Sequence, residues 1–463
     1  MTVQTETDPG FAAQPTRHVT VAYLVMVAIA MVVGAGIFKS PSVVADSTGS
    51  FWWLMAAWTA GGLISMAGAL CYAELATAFP NAGGDYHFLK TAYGRSLGFL
   101  FAWSRFAVIN TGSLALLGFV LGDYANRVVD LGANGPALYA FGSVAILTLF
   151  NLKSMYANAG ADYALTGLEV AGVLIMVAAG LILVVTGTPP ATFDGPPPAG
   201  GPPAIGLALV FVLLAFGGWS EIATMSSEVK DERRGMVKAL VLSILAITAL
   251  FLAVNWAFWR GLGMEGLAAS SAPAADLMDL AFGSAAGVVT AIAIALATIT
   301  SINATIVVGA RTTYAAARDF PLLSRIGRWD AERGIPARAI LAQSAVALLL
   351  VGYGAASFDG FQAVVDYTAP VFWLFMALSG ISVIVLRVRQ PDAPRPFRTP
   401  LYPLLPLIFA ATALFMMWSS LEYVSAAYGR IGAIMGLAVL AAGGIVLLVM
   451  RLVSGLDRGR PSL

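Results

Sequence analysis

Long apolar runs separated by short polar connections dominate this chain, and their lengths set the first expectation. Twelve such runs recur, at residues 20–45, 51–71, 97–121, 137–152, 164–187, 204–225, 239–259, 283–309, 339–353, 361–386, 401–418 and 431–450. An α-helix needs roughly 20 apolar residues to cross the hydrocarbon layer, so the pattern predicts an all-α polytopic membrane protein with about 12 transmembrane helices.

Two of the runs are interrupted. The first carries Gly34-Ala35-Gly36 between apolar pieces at 20–33 and 37–45, neither long enough to span alone. The sixth carries Phe216-Gly217-Gly218-Trp219-Ser220. Broken backbone at membrane depth leaves N–H and C=O groups unpaired, at a cost met only by surrounding protein or by a ligand in a water-filled cavity. Glycines also let helices pack closely, and that plainer use explains either motif taken singly. Their matching positions, in the first and sixth spans, favour a paired substrate site. Spans one to five enter from one side and spans six to ten from the other, so two five-helix halves with equivalent first helices are inverted relative to each other.

The chemistry expected of the breaks follows from helix ends. One half-helix presents free N–H groups with positive dipole character, and the other presents unpaired carbonyls. A carboxylate suits the first and an ammonium suits the second. A zwitterionic α-amino acid satisfies both without a charged side chain, and neither Gly34–Gly36 nor Gly217–Gly218 contains one.

Composition agrees with the membrane reading: 59% of residues are hydrophobic and 11% charged, against roughly 25% charged in soluble domains. A net charge of +1 gives no nucleic-acid surface. One cysteine, Cys71, excludes an internal disulfide, and with only His18 and His87 no metal cluster of the usual kind can be assembled. The placement of charge is more informative than its sum. With the N-terminus cytoplasmic, all of the 26 Lys and Arg except Lys39, Arg105, Arg127, Arg260 and Arg430 fall in cytoplasmic segments, which sets both termini inside. Residues 1–14 lack a signal-peptide pattern. The expected organisation is a cytoplasmic tail at 1–19, a first repeat at 20–187, an external Pro/Gly loop at 188–203, a second repeat at 204–390, peripheral helices eleven and twelve at 391–453, and a tail at 454–463. The cytoplasmic stretch 318–338 is expected to hold a short helix between Asp319-Phe320-Pro321 and Gly334-Ile335-Pro336.

Several motifs together resemble the amino acid–polyamine–organocation transporter superfamily, closest to its L-type and cationic amino acid permease-like bacterial members. Gly34-Ala35-Gly36-Ile37-Phe38 is similar to its first-helix motif, and Tyr72-Ala73-Glu74-Leu75 with 80–86 (PNAGGDY) is similar to the signature at the end of its second helix. Gly217-Gly218-Trp219 followed by 228–234 (EVKDERR) resembles its sixth helix, Asn303 with 309–314 (GARTTY) and 317–319 its eighth, and 386–403 the loop before its eleventh. The resemblance implies a LeuT-type core of five-plus-five inverted repeats with helices 1 and 6 broken, two peripheral helices, amino acid transport and alternating access. Where many relatives carry Lys in a Thr-x-x-Lys pattern on the fifth helix, this chain has Thr166-Gly167-Leu168-Glu169. An acid replaces the base.

The substrate-binding residues expected are Gly34, Ala35, Gly36, Ile37, Phe216, Gly217, Gly218, Trp219 and Asn303, with Glu169 and Glu221 as coupling residues. Glu169 lies inside an apolar run, where a charge costs about 2.5–3.5 kcal/mol on insertion scales, so it is neutral, paired or solvated. It is a protonatable coupling site, a partner for a cationic substrate or Arg105, or a carboxyl bonded to neighbouring helices. Glu221, three residues past the second break, is expected to cap or orient that half-helix, with contact to a substrate ammonium as its other use. Asn303 serves either the site or helix association. Phe216 and Trp219 are expected to close over substrate, although the gating position two residues before Phe216, aromatic in many relatives, is Leu214 here. Lys39 is expected to snorkel to the external interface. Residues 228–234 form a solvated helix end, or, by the resemblance, a latch in which Glu228 or Asp231 meets Arg318 or Arg325.

These features point to a secondary active transporter moving a neutral amino acid by alternating access, with the proton as coupling ion, no cofactor, and the lipid bilayer and a small-molecule substrate as partners. An amino acid/polyamine exchanger and a sodium-coupled symporter stay open, as does the oligomeric state. A channel is a further rival. A membrane-embedded enzyme would need a nucleophile–base or metal constellation that two histidines and one cysteine do not offer.

Overall fold

The first run starts where a polar side chain can hold it: the Thr20 hydroxyl accepts from the Tyr23 N–H at 3.3 Å, capping the first helix. This computed structural model describes residues 20–81, 83–153, 159–190, 204–229, 235–318, 325–330, 335–357, 359–428 and 430–454. Helix α1 (Val21–Val32) stops at Val33 and Gly34, and α2 (Ala35–Thr48) resumes at an angle of 52°. Ser50 caps α3 (Phe51–Ala78). After a short α4 (Gly84–Tyr93), the third span is built from α5 (Arg95–Ser104), a π-helical turn (Arg105–Ile109) and α6 (Asn110–Val128). Next come α7 (Gly135–Lys153) and α8 (Ala159–Val185). The sixth run is again split, into α9 (Ile205–Ala215) and a 3₁₀ segment (Trp219–Glu228) bent by 41°.

The second half continues with α10 (Gly235–Ala269), kinked at Gly263, then α11 (Pro273–Phe282), α12 (Ser284–Arg318), α13 (Ala337–Ala355), α14 (Gly360–Arg389), α15 (Leu404–Tyr428) and α16 (Arg430–Ser454). The named elements among the described residues are all helical, with an isolated bridge between Asp330 and Ile335. Among them nine helices are long and apolar enough to cross a membrane, or up to eleven if each bent pair is one span. On the fifth expected run, the described apolar stretch of α8 is the shorter Glu169–Val185.

Two groups of helices carry the core. In one, α2, α3 and α9 pack on one another and α1, α2 and α3 pack on α10. In the other, α6, α7, α12 and α13 bury Leu114, Leu121, Val144, Ile302, Ile306 and Ile340 between them. Large apolar side chains such as Leu149 and Phe150 on α7, Leu349 on α13 and Leu448 on α16 stay exposed on the outside, a surface suited to hydrocarbon rather than water.

One polar clasp ties the loop before α15 to the bundle. Glu74, at the end of α3, accepts from Arg387 Nε at 2.7 Å, from Arg387 Nη2 at 2.6 Å and from the Thr399 N–H at 2.7 Å, with Arg395 Nε 3.5 Å away. The Arg387 guanidinium lies 3.9 Å over the Tyr402 ring. The short helices α4 and α11 were not anticipated; each has ten residues and lacks a span-length apolar signal. Of the stretch 318–338, where a short helix is expected, residues 319–324 and 331–334 lie outside the described residues, and the rest holds a turn at 325–327 and the Asp330–Ile335 bridge; of the latch at 228–234, residues 230–234 lie outside them.

Candidate functional site

The two breaks touch. At the first, the Val33 N–H donates to the Ile29 carbonyl at 2.7 Å and the Ile37 N–H to the Gly34 carbonyl at 3.3 Å, so the first-turn N–H groups of α2 begin at the break. Pro41 inside α2 has no N–H to give the Ile37 carbonyl. At the second break, the Phe216 N–H donates to the Val212 carbonyl at 3.0 Å and the Gly217 N–H to the Leu214 carbonyl at 2.9 Å. Beyond these the Ala215, Phe216 and Gly217 carbonyls follow the last turn of α9.

Gly218 has φ +110°, a conformation that favours glycine, and a Cβ there would stand 2.7 Å from the Met31 carbonyl oxygen. A Cβ on Gly36 already meets Ala215 Cα at 3.1 Å, whereas one on Gly34 would meet nothing within 4 Å. Each break therefore uses a glycine to bring its backbone against the other. The arrangement offers positive N–H ends and negative carbonyl ends within one small volume, with no fixed charge among the break residues themselves.

Other expected site residues are placed differently. Ile37 is buried behind the break. Phe216 is buried against Trp58 and Phe251, with ring centroids 6.2 and 4.9 Å away, and Trp219 stands edge-on to Tyr72 at 5.1 Å. The Phe216 ring thus faces the packed core between α3 and α10, and the Trp219 ring packs on α3. Trp219 also borders, with Gly217, Ser65, Trp373, Met376 and Phe409, a narrow cavity of about 20 Å³. Asn303 accepts from Asn151 Nδ2 at 2.7 Å, an interhelical bond between α7 and α12. Ala35 joins Gly34 and Gly36 at the start of α2.

The charges correct the sequence reading at two points, Lys39 and the partner of Arg105, and give Glu221 a partner. Lys39 does not snorkel: it is buried and its Nζ lies 2.8 Å from Asp123 Oδ2 on α6. An ammonium only a turn past the break is too deep to reach water, and an acid on the third span was in range. Glu221 Oε1 lies 2.8 Å from Arg105 Nη1, a contact that orients the segment past the second break from the third span. Arg105 is therefore held by Glu221, with Nη2 donating to Asn110 Oδ1 at 3.3 Å, rather than by Glu169. Glu169 itself is half-buried on the α8 face that also carries the buried Val173 and Met176.

Arg105 opens the π-helical turn of the third span, a local irregularity common at functional sites. Asp123 lies eighteen residues further along that span, roughly 27 Å at 1.5 Å per residue. One pillar thus carries an arginine for the second half of the sixth span and an aspartate for the second half of the first. At the Asp123 end the seal is reinforced. The Tyr124 hydroxyl donates to the Phe38 carbonyl at 2.9 Å, and Arg127 pairs with Asp276 at 3.3 Å and with Asp279 of α11. At the Arg105 end, Asp85 of α4 is pushed up to about 6, by burial first and by the nearby Glu221 charge second. Arg105, Asp123 and Asp85 were not among the expected site residues; a charged residue inside an apolar run was the available signal for Arg105. Among the described residues no group of three or more His, Cys, Asp or Glu side chains is placed to hold a metal ion.

A bundle of membrane-length helices with two broken spans meeting at their breaks is the architecture of a membrane transporter. A family model described as "Amino acid permease" matches residues 19–449, and the chain belongs to that family. It is 26% identical over 400 residues to the b(0,+)-type amino acid transporter 1 of Mus musculus, covering 85% of this chain and 80% of the relative. Against the large neutral amino acids transporter small subunit 2 of Oryctolagus cuniculus it is 29% identical over 402 residues, covering 84% and 73%. Against the Homo sapiens cystine/glutamate transporter it is 26% identical over 415 residues, covering 88% and 81%. The protein is a multi-pass membrane amino acid transporter and not an enzyme.

Proposed function

We propose that this permease carries a neutral α-amino acid across the cell membrane by alternating access, with proton-coupled symport as its mode and both termini cytoplasmic. The observation that carries the reading is the contact between the breaks, Gly218 against the Met31 carbonyl and Gly36 against Ala215, with no charged side chain among the break residues. The substrate carboxylate caps the N–H groups at Gly34, Ala35 and Gly36. Its ammonium meets carbonyls at Phe216 and Gly217, and its side chain needs no fixed counter-charge. Ile37, Gly218 and Trp219 shape this volume rather than supplying polar contacts, and Asn303 acts by holding α12 to α7.

The third span is the fixed reference for movement. Lys39–Asp123 and Arg105–Glu221 attach the second halves of the two broken spans to it, with opposite polarity at its two ends. Opening one end requires the pair there to separate while the other holds. Glu221, neutralised by Arg105, orients the second break, and Glu169 carries a coupling proton on α8. The cationic residues of the loops support the orientation. A screen of purified protein against amino acids and polyamines tests the substrate class, because a ligand that binds the folded state raises its melting temperature by mass action. Stabilisation by neutral amino acids alone is expected; stabilisation only by polyamines or cationic amino acids would replace the reading.

A further inference from the structure

A third carboxyl, in a helix that neither break includes, has no assigned role. Asp366 of α14 is only 4% exposed, and its Oδ2 has no hydrogen-bond partner. Four residues further on, Pro370 lies inside the same helix and has no N–H to offer the Asp366 carbonyl. One residue therefore concentrates an unpartnered carboxyl oxygen and a main-chain carbonyl stripped of its helical donor.

Its depth follows from neighbouring contacts. A Cβ on Gly112 of α6 would stand 2.2 Å from Thr368 Cγ2, and one on Gly360 would stand 2.3 Å from Phe119 Cε1. Asp366 lies between 360 and 368, hence level with the stretch of the third span between Gly112 and Phe119. That stretch is flanked by Arg105 on one side and Asp123 on the other. The carboxyl thus sits at mid-depth, between the two ion pairs.

The charged groups around it do not neutralise it. On its own helix the other acid is Asp359, the N-cap of α14, and α13 contributes the ionisable Tyr353. On α6, Asp123 belongs to Lys39, and in the π-helical turn Arg105 belongs to Glu221. Glu74 of α3 is held by Arg387 at the far end of α14, and Asp85, His87 and Lys90 of α4 lie toward the Arg105 end. On α15 and α16, Glu422 and Arg451 are exposed. An unpaired carboxylate at such depth is among the costliest groups a membrane protein can hold, and a proton removes the cost without any partner.

We propose that Asp366 is a protonation site: it takes one proton from bulk water onto Oδ2 while the Lys39–Asp123 end is open and holds it neutral when that end is sealed. The inference rests on the transporter reading above but names a residue outside its substrate site, and its first test does not depend on transport. Infrared difference spectra of the purified protein at neutral pH should contain a protonated-carboxyl C=O band that shifts in D₂O. That band should be lost in Asp366→Asn, kept in Glu169→Gln, and displaced in Asp366→Glu, which also serves should the asparagine variant fail to fold.

A band unchanged in both Asp366 variants would overturn the proposal, as would sodium dependence of uptake that vanishes in Asp366→Asn. The second arm follows pyranine fluorescence in proteoliposomes. Substrate addition should acidify the lumen with wild-type protein and not with Asp366→Asn. A wild-type protein that moves no protons, but shows the Asp366 band, would end the proton-symport reading and leave the site standing.

Discussion

Glu221 Oε1 lies 2.8 Å from Arg105 Nη1, joining the segment just past the second break to the π-helical turn of the third span. Both side chains are mostly buried, so cutting one strands the other. For fully buried pairs that loss reaches about 3–5 kcal/mol. Arg105→Gln and Glu221→Gln should each lower uptake in proteoliposomes at least about tenfold, the equivalent of 1.4 kcal/mol. The double variant should recover part of that loss, because no charge is left alone. Additive losses would mean the pair is not coupled.

Gly218→Ala tests the closeness of the breaks without touching charge. Its φ of +110° disfavours any side chain, and the added methyl would meet the Met31 carbonyl at 2.7 Å. The variant should insert and purify, yet lose substrate-induced thermal stabilisation. Gly34→Ala, where a Cβ meets nothing within 4 Å, should keep most of it.

Asp85 gives the stability a pH signature. Its carboxyl titrates at about 6 in the fold against an ordinary 3.8, so the folded state binds this proton more tightly than the unfolded chain. Relative to an unperturbed aspartate, stability is fully present below about 4 and is lost as pH rises through about 6. Asp85→Asn should therefore melt higher than wild type at pH 7.5, with the gap closing as the pH falls toward 4. Parallel melting curves across that window would contradict the assignment.

Glu74→Ala should release the segment 390–403 from the end of α3. It removes both Arg387 bonds and the Thr399 bond together, leaving the partly exposed Arg387 guanidinium without its acid. Limited proteolysis should cut that segment faster than in wild type. Substrate stabilisation should persist, since the breaks are untouched.

The broken spans were legible because glycine pairs inside apolar runs are a local signal, read along the chain. The pairings were not. Lys39 meets Asp123, and Arg105 meets Glu221, across separations that no periodicity reports. Asn303 is equally polar whether it lines a site or bridges two helices, and its bond to Asn151 is a contact that no sequence pattern announces. Phe216 and Trp219 are both beside the break in sequence, but the Phe216 ring packs against Trp58 and Phe251 while Trp219 borders a cavity with Gly217. Asp366 was passed over because one acid hardly lowers the hydropathy of a thirty-residue helix.

The central claim is that an amino acid is held where the two breaks meet and is carried by alternating access. It is tested most directly by counterflow of labelled neutral amino acid in proteoliposomes, comparing wild type with Gly36→Leu. A leucine there would drive into Ala215, whose Cα already lies 3.1 Å from the position of a Cβ. Wild type should show saturable uptake accelerated by unlabelled amino acid inside, and Gly36→Leu should show none despite intact insertion. Wild-type counterflow in Gly36→Leu, or a wild-type flux with neither saturation nor trans-acceleration, would contradict it.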